Sequence, residues 1–266
     1  MCKKLHGIVK NFYEEKGLSA LSNINTRTKI IASITVFSAL YTILRLIPTI
    51  PMVGIVGAFS LSDTLAPIYG VILGPYIGGL SVILGTFLAM AMGKPVSFMF
   101  LDFLPATINA VALGFLIKRK WIPVIILNAA LLLVFLLNPL TSLFIGPFPF
   151  AWVHILAFIV LLSPLSRKAI DWIETLNTVD VTKGLAIIAF IGTMMQHLTG
   201  NLLFEGILGQ ITNTISADAY PGIWSSIFFI YPWERLILII FAVIIGTPLI
   251  RVLKKSLFVN HNFNTV

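Results

Sequence analysis

Eight long apolar stretches divide this 266-residue chain, and short polar segments separate them. The stretches lie at 30–47, 60–73, 75–92, 98–117, 121–138, 149–165, 184–208 and 223–250. A helix needs about 20 apolar residues to cross the hydrocarbon core of a bilayer. Because 58% of the residues are hydrophobic and only 11% are charged, polar residues are too few to cover a water-facing surface. The sequence therefore predicts an all-α fold, a polytopic transmembrane bundle of six to eight helices.

The spacing of these stretches leaves the exact number of helices open. Gly74 and Pro75 alone separate the second stretch from the third, and either a tight hairpin or one bent unit fits that spacing. The polar segment 166–183 fits either an amphipathic helix on the inner membrane surface or a solvated linker. We expect a cytoplasmic leader at 1–29, and this segment could form an interfacial helix. After the leader we expect a single transmembrane bundle domain at 30–255 and a cytoplasmic tail at 256–266.

Basic residues fall almost entirely in alternate connecting segments. Of the 18 Lys and Arg residues, only Arg45, Lys94 and Arg235 lie on the opposite side. Because cytoplasmic loops of membrane proteins carry an excess of Lys and Arg, we expect both termini in the cytoplasm of a cell-membrane protein. The same clustering argues against a nucleic-acid partner. The single cysteine, Cys2, excludes a disulfide framework.

Ionisable side chains near the predicted spans are concentrated in the outer half of the bundle. Such groups are costly within a bilayer and usually face a cavity or a partner, although side chains at helix ends also reach the interface without a further role. Arg45 and Arg235 could bind an anionic group of a ligand. The candidate ligand-binding residues from this argument are Arg45, Asp63, Asp102, His154, His197, Glu205, Glu234 and Arg235, and polar spacing on the fourth and seventh stretches adds Asn109 and Asn201. Of these, Asp63, Asp102 and Glu205 could accept hydrogen bonds from the ligand.

The seventh stretch contains the most regular polar pattern. Polar residues recur there every four positions, at Thr193, His197, Asn201 and Glu205. That spacing places them along one slightly drifting helix face. The face would be either a wall of a ligand site or a polar seam that joins helices by hydrogen bonds.

Small residues are also spaced by four, in the second and third stretches. They are Gly70, Gly74 and Gly78, then Ser81, Gly85 and Ala89. Such spacing lets helix backbones approach closely. It fits either packing within the chain or a docking face for another membrane subunit.

No catalytic motif stands out in the sequence. It has no HExxH, no Gly-x-Ser-x-Gly and no P-loop. We therefore expect no enzyme activity, no cofactor and no metal site. Transport driven by ATP would require a separate ATPase.

One segment at the start of the second stretch contains a recognisable sequence motif. It reads Gly57-Ala58-Phe59-Ser60-Leu61-Ser62-Asp63-Thr64-Leu65-Ala66-Pro67 and continues to Gly70 and Leu73-Gly74-Pro75-Tyr76-Ile77-Gly78. The motif resembles the substrate-binding S components of energy-coupling factor (ECF) vitamin transporters, over roughly residues 35–95.

The resemblance implies a compact helical bundle, usually of six helices, with an outward vitamin site capped by the loop after the first helix. It also implies that Ser60 and Asp63 lie near that site. Small residues of the early helices would dock onto a transmembrane coupling subunit, which two ATPases drive. The family's Ala-x-x-x-Ala docking motif is not clean in the first stretch, where Val36 follows Ala32. This departure moves the expected docking surface to the small-residue positions.

Three functions remain open at this point. The first is a membrane-embedded substrate-binding subunit of an ATP-driven importer for a vitamin or similar small polar metabolite. The second is a self-sufficient secondary transporter coupled to protons, with His197 and Glu205 as the relay. The third is a membrane enzyme or assembly factor with an outward-facing site, for which the sequence offers no nucleophile and base.

Overall fold

A computed structural model describes residues 27–54, 57–175 and 177–263. Within these ranges the helices are α1 (Arg27–Arg45), α2 (Leu65–Ala91), α3 (Leu104–Ile117), α4 (Trp121–Leu137), α5 (Trp152–Leu162), α6 (Pro164–Glu174), α7 (Thr178–Leu203) and α8 (Tyr220–Phe263). Two short antiparallel hairpins pair β1 (Pro48–Pro51) with β2 (Ala58–Ser60) and β3 (Phe144–Ile145) with β4 (Phe148–Pro149). The predicted helical architecture is confirmed. The predicted leader lies almost wholly outside the described residues, and α8 continues through the predicted tail as far as Phe263.

The second and third apolar stretches form a tight helical hairpin within α2. The chain reverses at Gly74, whose φ of +76° is a backbone conformation that L side chains rarely adopt. A Cβ atom on Gly78 would lie 2.8 Å from the carbonyl oxygen of Tyr69. Residues nine positions apart in a straight helix lie about 13 Å apart along its axis. This approach therefore requires the two arms to run side by side, and the hairpin alternative is the one observed.

The small residues of α2 are used for packing within the chain. A Cβ atom on Gly70 would clash with the carbonyl oxygen of Ala110 in α3, and one on Gly85 would lie 2.8 Å from the carbonyl oxygen of Ser38 in α1. The remaining predicted docking positions are also buried, and they are Gly74, Gly78, Ser81 and Ala89. Since these residues are occupied by internal contacts, the packing alternative accounts for them. A docking surface for another subunit would have to lie elsewhere.

Helix α7 lies at the centre of the fold. It packs against α3, α4, α5, α6 and α8, and its residues from Ile191 to Thr199 are buried without interruption. Gly192 permits close contact with α3, because a Cβ atom there would clash with the side chain of Asn109. The polar residues of α7 are therefore held rigidly between other helices.

One end of the bundle gathers basic and aromatic side chains. Arg119, in the turn between α3 and α4, donates hydrogen bonds to Asp171 (2.6 Å) and Glu174 (3.1 Å) of α6. Lys168 and Lys183 lie 5.1 and 6.0 Å from the ring centre of Trp172. Basic and aromatic residues are enriched where membrane proteins meet the water interface. This end collects the segments that the charge distribution assigns to the cytoplasm.

Segment 166–183 is helical rather than a linker. Helix α6 is bent by 70° from α5. It buries one face, formed by Ser166, Ala169, Ile170 and Ile173, and exposes Arg167, Lys168 and Asp171. The amphipathic-helix alternative therefore describes residues up to Glu174, and α7 begins at Thr178.

Several helical segments are long and apolar enough to cross a membrane. They are Leu61–Ala91, Thr178–Ile211 and Ala217–Leu253, with α5 and α6 together as a fourth if that bent pair counts as one span. The first of these reverses at Gly74, so its length is shared between two arms. Ile30–Arg45, α3 and α4 are shorter apolar helices. The predicted number of spans and the orientation of the termini stay predictions.

Candidate ligand-binding site

The candidate site is a cavity of about 120 Å³. It lies at the end of the bundle remote from Arg119, Lys168 and Lys183. Its walls come from the end of α1, the β1–β2 hairpin, the connection between α2 and α3, the second half of α7 and the middle of α8. Six charged side chains line it: Arg45, Asp63, Lys94, Asp102, Glu234 and Arg235. A larger groove lies between α5 and α8 and is almost entirely apolar, with Arg235 as its one charged residue. Polar recognition of a ligand therefore points to the smaller cavity.

Eight of the eleven predicted site residues share this cavity. They are Arg45, Ser60, Asp63, Asp102, His197, Asn201, Glu234 and Arg235. The structure does not place Asn109, His154 or Glu205 on the cavity wall. Helices distant in sequence thus bring most of the candidates together, while their binding of a ligand stays a prediction.

Asp63 is held by hydrogen bonds from two sides. The backbone N–H of Ser60 donates to Oδ2 of Asp63 over 3.0 Å, which caps the short 3₁₀ turn Leu61–Thr64. The side-chain amide of Gln196 in α7 donates to Oδ1 over 3.1 Å. Asn109 of α3 in turn donates to Gln196 over 2.8 Å. Asn109 therefore supports the wall from behind and does not face the ligand space.

Asp102 organises a turn rather than starting a helix. The prediction placed it in the first turns of a helix from residue 98, but α3 begins at Leu104. The Asp102 carboxylate accepts hydrogen bonds from the backbone N–H groups of Ser97 (2.9 Å) and Phe98 (3.1 Å). Met99 and Phe100, which follow Phe98, have positive φ values of 47° and 68°, a conformation that is costly for residues other than glycine. The carboxylate stabilises this turn against helix formation.

Arg45 and Lys94 stand on the same wall without an acidic partner. Nη2 of Arg45 donates to the backbone carbonyl of Asp102 over 3.2 Å, and Nζ of Lys94 lies 3.4 Å from the carbonyl of Ala58. Among the described residues, neither cation lies within 4.0 Å of a carboxylate oxygen. Partial burial, and then the nearby charge of Arg45, lower the pKa of Lys94. This wall therefore presents two cations that are not paired with a carboxylate among the described residues.

Arg235 and Glu234 form a buried ion pair on α8. The guanidinium of Arg235 also lies 5.0 Å from the ring centre of Phe59, on β2. Cations are attracted to the faces of aromatic rings. Because Glu234 neutralises Arg235, this arginine contributes less free positive charge than its position in the sequence suggested.

A stack of rings forms the base of the cavity. The rings of His154 and His197 lie 5.1 Å apart and nearly parallel, and Tyr231 stacks on His197 at 5.0 Å. Nε2 of His154 and Nδ1 of His197 share a hydrogen bond of 3.0 Å. The hydroxyl of Tyr231 donates to the backbone carbonyl of Phe150 over 2.8 Å. His154 therefore supports His197 from the side away from the ligand space.

Glu205 points away from the cavity. A step of four residues drifts by about 40° on an α-helix, and the segment Phe204–Ile211 is a π-helix that turns the chain further. Glu205 accepts a hydrogen bond of 2.6 Å from Thr141, which follows α4. The described residues show no hydrogen bond between Glu205 and His197. The predicted relay therefore has no direct link.

Some lining residues were missed by the sequence argument. Lys94 was identified as an outer cation but was not assigned to the site, and Gln196, which lies beside the polar pattern of the seventh stretch, was not assigned to it either. Phe59, Phe98 and Tyr231 also line the cavity, and nothing in the apolar pattern distinguishes them from other aromatic residues. They give the cavity an apolar surface around its charged groups.

Comparison with family models, curated proteins and solved structures finds no match for this chain. In the described residues no group of three His, Cys, Asp or Glu side chains is arranged to hold a metal ion. The geometry of the cavity is the main guide to function.

Proposed function

We propose that this chain is the membrane-embedded substrate-binding subunit of an ATP-driven importer of the ECF type, for a vitamin or similar small polar metabolite. The observation that carries the proposal is the cavity with six charged residues on its wall. Removing charges from water is costly unless they are paired. Glu234 and Arg235 pair with each other, but among the described residues Arg45, Asp63, Lys94 and Asp102 form no ion pair and lie around an open space, which favours a site that a polar ligand completes.

The position of the cavity supports an outward-facing site. Basic and aromatic side chains mark the opposite end, which we assign to the cytoplasm. Exposed apolar side chains on α8 are suited to contact with lipid, and they include Ile237, Ile240, Phe241 and Ile244. The shorter apolar helices would complete the bundle in a cell membrane. The β1–β2 hairpin follows α1 and forms one wall of the cavity, where the family resemblance places a capping loop.

Partner subunits would supply the energy for transport. The sequence has no P-loop, so ATP hydrolysis would occur on separate ATPases linked by a coupling subunit. With the small residues of α2 packed internally, the exposed face of α1 offers an alternative docking surface. That face contains Ala32, Val36, Ala39 and Ile43, which are spaced so that they share one side of the helix.

Filling the cavity tests the binding function. A Cβ atom on Gly200, which lines the cavity, would meet nothing within 4 Å. Gly200→Leu should therefore occupy ligand space without disturbing the fold. Gly222→Leu is the matched control, because Gly222 is an exposed helical glycine with equal room and lies outside the cavity.

The measurement is the mass spectrum of small molecules released from protein purified in mild detergent. We expect a defined metabolite from wild type and from Gly222→Leu, and none from Gly200→Leu. The same preparations, isolated from native membranes, should contain a coupling subunit and ATPases. Release of the same molecule from Gly200→Leu would refute the assigned site. Absence of ATPases together with uptake by this chain alone would refute the importer class.

The secondary-transporter alternative has one supporting observation. His154 and His197 share a buried hydrogen bond beside the cavity, an arrangement found in proton pathways. The link from His197 to Glu205 is absent among the described residues. Reconstitution of the chain alone in vesicles decides this point: uptake of the released metabolite driven by a proton gradient would favour the alternative.

A further inference from the structure

We propose that the ligand carries an anionic group, a carboxylate or a phosphate, which Arg45 and Lys94 bind, while Asp63 and Asp102 position the walls and form no ion pair with it. This inference rests on the proposed binding function of the cavity. It assigns the class of ligand and divides the charged residues into those that bind and those that support.

The carboxylates of the cavity already have partners within the chain. Asp63 accepts from Ser60 and Gln196, one bond to each oxygen. Asp102 likewise uses both oxygens, for two backbone N–H groups. Glu234 is paired with Arg235. Each of these carboxylates is therefore already held by groups of the chain itself.

Within the part of the chain that the structure describes, the buried polar atoms on the cavity wall that have no hydrogen-bond partner are all donors. They are Nε of Arg45, Nε of Arg235 and Nδ2 of Asn201. Arg45 is 8% exposed and Asn201 is 6% exposed, so solvent does not readily satisfy them. A buried donor without an acceptor is costly. Acceptor oxygens on the ligand would remove that cost at each of these groups.

Arg45 and Lys94 together favour a negative ligand group. Arg45 donates to the backbone carbonyl of Asp102 and Lys94 to that of Ala58, and among the described residues neither forms an ion pair with a carboxylate. The reduced pKa of Lys94 reflects its burial and the proximity of Arg45. An anion bound between them would offset both effects. The planar guanidinium of Arg45 matches the geometry of carboxylate and phosphate oxygens, and Phe59 and Phe98 add apolar surface to the same cavity.

The test uses matched pairs of small probes with detergent-purified protein. Pyridine-3-carboxylate and its amide form one pair, pentanoate and its amide another, and inorganic phosphate is tested alone. Binding is followed by the thermal shift and by calorimetric titration. The carboxylate or phosphate should bind and the amides should bind at least about tenfold more weakly. The two anion arms distinguish a carboxylate ligand from a phosphate ligand, and the molecule released from wild type should be negatively charged.

Two variants test whether Lys94 and Arg45 bind the anionic group of the ligand. Lys94→Gln should weaken binding of the preferred anion about tenfold and Arg45→Gln about a hundredfold. Lys168→Gln, an exposed cation at the other end of the bundle, should leave affinity unchanged. Lys94 lies in a connection and not in a helix. Its variant therefore decides the question if Arg45→Gln fails to fold.

The outcomes separate this inference from the proposed function. A released molecule that is neutral or cationic, amides that bind as well as carboxylates, or a Lys94→Gln variant with unchanged affinity would each overturn the anion assignment and leave the binding function intact. If wild type releases no molecule and binds no probe, both proposals fail.

Discussion

Gln196 of α7 joins Asn109 of α3 to Asp63 at the start of α2. It accepts a hydrogen bond of 2.8 Å from Asn109 and donates one of 3.1 Å to Asp63. All three side chains are buried. This chain of bonds fixes the angle at which the Ser60–Thr64 turn meets the cavity. The position of this cavity wall therefore depends on Gln196, which is uncharged.

Removal of the central amide should destabilise the protein. Gln196→Leu leaves the amide of Asn109 and one oxygen of Asp63 without partners, and we expect a loss of about 2 to 3 kcal/mol in the free energy of unfolding. Gln210→Leu is the control, because Gln210 is exposed and bonds to Asn138 near the surface. Thermal unfolding in detergent measures both. Equal melting temperatures for the two variants would contradict the role of this bond chain.

Close packing of α3 on α7 should be sensitive to a single methyl group. Gly192→Ala places a Cβ atom against Asn109 and Leu113, and overpacking of this kind typically costs about 1 to 3 kcal/mol. Gly206→Ala is the matched variant, since a Cβ atom there would meet nothing within 4 Å. The comparison of thermal stabilities checks this, and a Gly192→Ala protein as stable as Gly206→Ala would show that the helices can separate without cost.

The two histidines should be energetically coupled. His154→Leu leaves Nδ1 of His197 without its 3.0 Å partner, and His197→Leu does the same to Nε2 of His154. The double variant removes both groups at once. We therefore expect its destabilisation to be smaller than the sum of the single effects by about 0.5 to 3 kcal/mol. A double-mutant cycle on thermal stability supplies the value, and strict additivity would mean that the bond contributes nothing.

Anion affinity should fall at alkaline pH through Lys94. Its pKa is lowered by burial and by Arg45, and is raised to a lesser degree by Asp63 and Asp102. A bound anion favours the protonated amine, so binding takes up a proton and weakens as the pH rises through the pKa of Lys94. Titration of the preferred anion from about pH 7 to about pH 10 should show this decline. Lys94→Arg, which keeps its charge throughout that range, should remove it. An identical decline in that variant would exclude Lys94 as its source.

Several features of the fold were predictable because they depend on local chemistry. The helical character follows from the apolar stretches, and the Gly-Pro pair between two of them indicated a break at Gly74 that fitted either a tight hairpin or one bent unit. The predicted start of α3 was wrong, because the Asp102 carboxylate accepts hydrogen bonds from backbone N–H groups four and five residues earlier and holds residues 98–103 out of the helix. The periodic pattern could not show that Glu205 leaves the cavity, since the π-helical segment is not visible in residue types.

By itself, the sequence determined that the chain is helical and apolar, and that the ionisable side chains near its apolar stretches lie toward one end of the bundle. Those properties follow from residue type and spacing along the chain. Only the tertiary structure decided which of these groups are free. Asp63 and Arg45 look alike as charged candidates, yet one is bonded through Gln196 and the other keeps a donor unused, because hydrogen bonds between distant helices are set by packing and not by sequence order.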